Sequence, residues 1–163
     1  MDSIISLISP NPKADRDKIL YYRNTSGRKC LTVKNSSPPL RAKYVDGDDG
    51  YIENILVEYL KIVDENLLSD QPERSYAKKT VGYQAFFDFL KYYLIIKKGK
   101  FDKDDVLLLF KKINKIDFTD NFFTASGLGR SRMKNVMLIK TGIKSVESLR
   151  KNNDYETYLA YMK

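Results

Sequence analysis

At 163 residues, with 29 Lys and Arg against 21 Asp and Glu, the chain has the length of one ordinary domain and a formal net charge of +8. It contains no His, which excludes every His-based triad, dyad or metal cluster, and its single cysteine, Cys30, excludes an intramolecular disulfide. Residues 1–8 carry no secretory pattern and no apolar run approaches the roughly 20 residues of a bilayer span, so a cytoplasmic, non-membrane protein is expected.

Residues 1–50 are rich in breakers: Pro10, Pro12, Pro38 and Pro39, an Asn-Thr-Ser-Gly turn signal at 24–27, and Asp-Gly-Asp-Asp-Gly at 46–50. Helices there must be short. The β-prone pieces 18–22 and 29–33 flank the 24–27 signal and predict a short β-hairpin. From Tyr51 the period turns helical. Ile52, Ile55, Leu56, Tyr59, Leu60 and Val63 form one stripe, with Asp48 or Asp49 as its cap. Tyr83, Phe86, Phe87, Leu90 and Leu94 form a second, which stops at Lys97-Lys98-Gly99-Lys100. In the third, Asp102 caps, Asp104 and Asp105 fill the first turn, Val106, Leu109, Phe110 and Ile113 make the apolar face, and Lys111, Lys112 and Lys115 close it. Phe86, Phe87 and Phe110 read as core. Shorter elements follow over 118–125, 130–141, 145–151 and 154–162. The expected fold is mainly α: one compact helical domain over 1–163, irregular or hairpin-forming to residue 50 and helical from 51.

One segment carries a functional signal. Gly127-Leu128-Gly129 lies between helical patterns, with Arg130, Arg132 and Lys134 just beyond. Glycines bring main-chain amides close to a ligand, and the following helix N-terminus adds partial positive charge, so an anion is held without side chains. Lys97, Lys98 and Lys100 would extend such a phosphate track. The bland reading is a helix-breaking turn with solvated basic neighbours.

Residues 122–142 resemble a helix-hairpin-helix element, the non-specific DNA-binding motif of repair and recombination proteins. The likeness rests on Gly127, Leu128, Gly129, Val136 and Met137, and implies backbone contacts to duplex phosphates. Met133 stands where that family carries a small Ala, and Ala125-Ser126 replace its larger apolar residue and Pro. More broadly, the Tyr59 helix, Thr80-Val81-Gly82-Tyr83-Gln84-Ala85-Phe86 and 122–132 are similar to the C-terminal part of bacterial DGQHR-motif proteins linked to DNA phosphorothioation, without the DGQHR signature itself.

No catalytic or metal set emerges. Asp46, Asp48 and Asp49 break the EF-hand spacing and read as a turn with a helix cap, as do Asp117 and Asp120. Cys30 reads as a small buried hydrophobe. The expectation is a non-enzymatic, cofactor-free DNA-binding accessory protein of bacterial or phage origin, defence-associated. The alternatives are a protein-interaction domain and the C-terminal part of a larger assembly.

Overall fold

The structure, a computed structural model, describes residues 2–162, and among these every regular element is helical. Contacts divide the chain into two units, the residues up to Glu58 with Lys91–Phe101, and Tyr59–Leu90 with the residues from Asp102 onward.

In the first unit α1 (Asp2–Ile5) is a single turn. α2 (Pro12–Tyr21) starts where Asn11 accepts the Ala14 amide at 3.1 Å and Pro12 fills a position whose amide would have no helical partner. This start takes residues 18–21 into a helix. The expected β-hairpin over 18–22 and 29–33 is therefore not formed. Its second arm is a 3₁₀ turn, Gly27–Cys30, followed by chain in no regular element. The reason is local: the Tyr22 carbonyl accepts the amides of Thr25, Ser26 and Gly27 at 3.1, 3.1 and 2.9 Å, which closes the chain before a ladder can begin.

α3 (Arg41–Asp46) carries the residue that holds this unit together. Arg41, only 5% exposed, donates two bonds to the Asp15 carboxylate at 2.6 and 2.9 Å, one to Thr32 O at 2.7 Å and one to Ile8 O at 3.2 Å. Ser9 Oγ donates to the same carboxylate at 2.6 Å. Leu7, Leu31 and Leu40 are buried in this unit.

α4 (Asp49–Val63) begins as its sequence predicts, with Asp48 accepting the Tyr51 amide at 3.3 Å, and runs on into a π-helical turn, Asp64–Leu68. α5 (Thr80–Ile96) ends through two left-handed residues, Lys98 and Gly99. A Cβ at Gly99 would lie 2.8 Å from Pro39 O, so the stop requires glycine for space as well as torsion. α6 (Lys103–Ile113) is capped by Asp102, which accepts the Asp105 amide at 3.1 Å.

The second unit is built around rings, of which Phe86, Phe87 and Phe110 were expected as core and are buried, and Phe89 joins them. Tyr59, Phe86, Phe89 and Phe110 are buried, and Phe110 meets Tyr59 and Phe89 edge to face, each at 5.8 Å. Burying each ring contributes about 1.5–3 kcal/mol. The Tyr59 hydroxyl donates to Phe86 O at 2.6 Å, and burial raises its pKa well above the usual tyrosine range, so it stays a neutral donor.

The chain closes with α7 (Gly127–Lys140), a 3₁₀ turn at Val146–Leu149, and α8 (Tyr155–Ala160). The element expected over 118–125 is instead a run of turns. Asp117 accepts the Thr119 amide at 2.9 Å and Asp120 the Phe122 amide at 2.7 Å, offering these amides an alternative to a helix.

Arg41 holds the Asp15 carboxyl below its ordinary 3.8 against the opposing effect of burial. A depressed carboxyl contributes stability that is present above the unfolded-state value and lost as pH falls through the folded one. Urea unfolding between about pH 5 and pH 2.5 should therefore show an acid-side loss of stability that is smaller in Asp15→Asn. At neutral pH that variant should be about 3 kcal/mol less stable, because it leaves the Arg41 charge buried without its counterion. Equal acid losses in the two proteins would remove Asp15 from this role.

Candidate nucleic-acid interface

Gly127 and Gly129 both lie in the first turn of α7. Ser126 is the cap: its Oγ accepts the Gly129 amide at 3.2 Å and its carbonyl accepts the Arg130 amide at 2.9 Å. The Ser126 amide turns back to Thr124 O at 2.8 Å, and the two hydroxyls hydrogen-bond at 2.8 Å. The second glycine is a steric necessity, since a Cβ at Gly129 would lie 1.8 Å from Thr124 O. Gly127 has open space around it and Leu128 is exposed. As the first two helical residues, Gly127 and Leu128 have amides that no turn of α7 can satisfy.

The arginines behave otherwise than their sequence position suggested. Arg130 makes a bidentate pair with Asp88 at 2.7 and 2.6 Å, and Arg132 another with Asp154 at 2.8 and 2.8 Å. Arg132 also donates to Phe122 O at 3.2 Å and places its guanidinium 4.6 Å from the Phe122 ring centroid. Asp154 raises the guanidinium pKa still further. Both side chains are thus structural: Arg130 fixes α7 to α5, and Arg132 fixes it to the start of α8 and the 118–123 turns. Their engagement with carboxylates withdraws them from the phosphate contact that the sequence suggested.

The predicted lysines fall in two places. Lys134 lies half-buried on α7 near Lys144, whose pKa is pushed down by burial and by that like charge. Lys97, Lys98 and Lys100 stand at the end of α5 within the first unit. There Lys97 Nζ lies 5.8 Å from the Tyr93 ring centroid, and Lys98 and Gly99 line a surface cavity with Val33, Lys34 and Pro39.

The sequence reading missed the partner of the α7 start. A cavity of about 370 Å³ is lined by Lys79, Thr80, Val81 and Gln84 from the beginning of α5 and by Ala125, Ser126 and Gly127 from the beginning of α7. Two helix N-termini therefore border one concavity that no carboxylate lines, with Lys79 at its edge and Lys79 Nζ 4.7 Å from the Tyr76 ring centroid. The signal for it, Lys79-Thr80 before a helical stripe, is faint in the sequence.

No protein-family model, curated protein or solved structure matches the chain. Among the described residues no helix is long and apolar enough to cross a membrane.

The two glycines should separate sharply on substitution. Gly129→Ala is expected to lower stability by about 3 kcal/mol, because backbone must move to admit the methyl group. Gly127→Ala should stay within about 0.5 kcal/mol of the parent. Denaturant unfolding of both variants checks this, and equal effects would contradict the close approach at Thr124.

Proposed function

We propose that the protein is a non-catalytic nucleic-acid-binding module, with DNA the preferred polymer. It holds backbone phosphate in the concavity shared by the starts of α5 and α7. The observation that carries this reading is the pairing of two helix N-termini and a lysine around a space without carboxylates. The +8 charge adds long-range attraction. The DGQHR likeness agrees with it, while the helix-hairpin-helix likeness is one of sequence alone, since residues 118–125 form turns and both glycines lie within the first turn of α7. Contacts of this kind set position along a backbone and read no base sequence.

A second reading is a protein-interaction domain. It is favoured by one feature, an apolar surface cavity of about 430 Å³ lined by Ile5, Ile8, Pro12, Ile19, Leu20 and Tyr44.

Salt titration of binding to a duplex oligonucleotide distinguishes them. Affinity should fall steeply with salt, and Lys79→Ala should reduce the log–log slope by about one. Gly127→Asp sets a carboxylate in open space at a helix N-terminus, where it is tolerated, and should abolish duplex binding without loss of fold. Absence of binding to both duplex and single-stranded oligonucleotides at about 50 mM salt would leave the protein-interaction reading.

A further inference from the structure

The end of α2 is built unlike a helix that serves only packing. None of its ten residues is buried, and where it stops Leu20, Tyr21 and Tyr22 stand in water, Leu20 at 56% and Tyr21 at 81% exposure. The two rings meet edge to face at 4.8 Å. Their place is fixed, because the Tyr22 carbonyl accepts three successive amides and Gly27 closes the turn at a φ of +51°. The following 3₁₀ turn, Gly27–Cys30, packs against α2.

The charge around these rings is concentrated and available. Residues 12–34 carry seven Lys or Arg against two Asp, five of the chain's eight net positive charges. Both aspartates are engaged, Asp15 by Arg41 and Asp17 by Arg16. Among the described residues Lys18, Arg23 and Lys29 are exposed and pair with no carboxylate, whereas Arg28 is held by Asp49. Exposed rings interleaved with unpaired cations match the chemistry of an unstacked polynucleotide: each base offers a face to a ring, and each phosphate a charge to a cation. A duplex keeps its bases stacked inside and has no face to give.

We infer that the end of α2 and the turn after it form a platform for single-stranded nucleic acid, with Tyr21 and Tyr22 stacking on bases and Lys18, Arg23 and Lys29 meeting phosphates. The inference rests on the nucleic-acid reading and adds the strand form that this surface selects. It involves none of the residues around Gly127.

The test is fluorescence anisotropy with a labelled single strand of about 20 nucleotides and its duplex at about 50 mM salt. Tyr21→Ala with Tyr22→Ala should weaken single-strand binding about ten- to hundredfold and leave duplex binding within about twofold. Tyr21→Phe should retain single-strand affinity and Tyr21→Leu should lose it, separating a stacking ring from apolar bulk. Both tyrosines are exposed, so far-ultraviolet circular dichroism should be unchanged. Single-strand affinity unaltered by the double substitution, with duplex binding intact, overturns the platform alone and leaves these rings as a surface for a protein partner. Failure of the parent protein to bind either form overturns the platform and the nucleic-acid reading together.

Discussion

Guanidinium–carboxylate pairing between residues distant in sequence is the interaction on which the rest of this structure depends. Arg41 gathers residues 8, 15 and 32 around one charge in the first unit, and Arg132 gathers residues 122 and 154 around another in the second. A buried pair of this kind adds little over well-packed apolar residues, yet removing one partner is costly because the other charge is left without a counterion. Its effect is to fix which segments meet. Short elements such as α2 and α8 have too few residues to be stable alone, and here each is tied through an aspartate that meets one of these arginines.

That allocation also decides which cations are left for a partner. The net charge of +8 invites a polyanion, but Arg28, Arg41, Arg130 and Arg132 are all engaged by aspartates within the chain. The charge that remains sits chiefly on lysines and on Arg23, Arg74 and Arg150. The arginines beside Gly127 hold α7 in place through Asp88 and Asp154, so the orientation of its first amides is set by the fold itself, the condition under which the ordering cost of the proposed phosphate contact is lowest.

The helices α4, α5 and α6 were legible because three local signals agree in each: an apolar stripe, a cap or a recognisable start, and a stop. The hairpin over 18–33 was misread because β-prone residues in 18–22 were given more weight than Asn11-Pro12, a start signal that the structure honours. At the candidate site, Gly-Leu-Gly reads in the sequence as a means of bringing main-chain amides to a ligand, whereas the Gly129 amide is given to Ser126 within the chain. What requires the second glycine is the contact of Gly129 with Thr124. The arginine pairs were illegible in principle, since Asp88 lies 42 residues from Arg130 and Asp154 lies 22 from Arg132, and no local pattern joins them. For the same reason the meeting of the α5 and α7 N-termini could not be foreseen.

The position of α2 shows how one interaction sets both the attachment of a helix and the surface it leaves exposed. A ten-residue helix without a buried residue has almost no hydrophobic reason to stay in place, and its cap at Asn11 contributes only about 1 kcal/mol. The Asp15–Arg41 pair supplies the attachment instead, acting on the side of the helix that faces the protein. Because attachment does not rely on Leu20, Tyr21 or Tyr22, these residues are free to remain in water at the other end. Turning them inward would give a better-packed helix, at about 1.5–3 kcal/mol for each large side chain buried. An arrangement that forgoes this much stabilisation while keeping Lys18, Arg23 and Lys29 unpaired is the trade expected of a surface kept for a ligand.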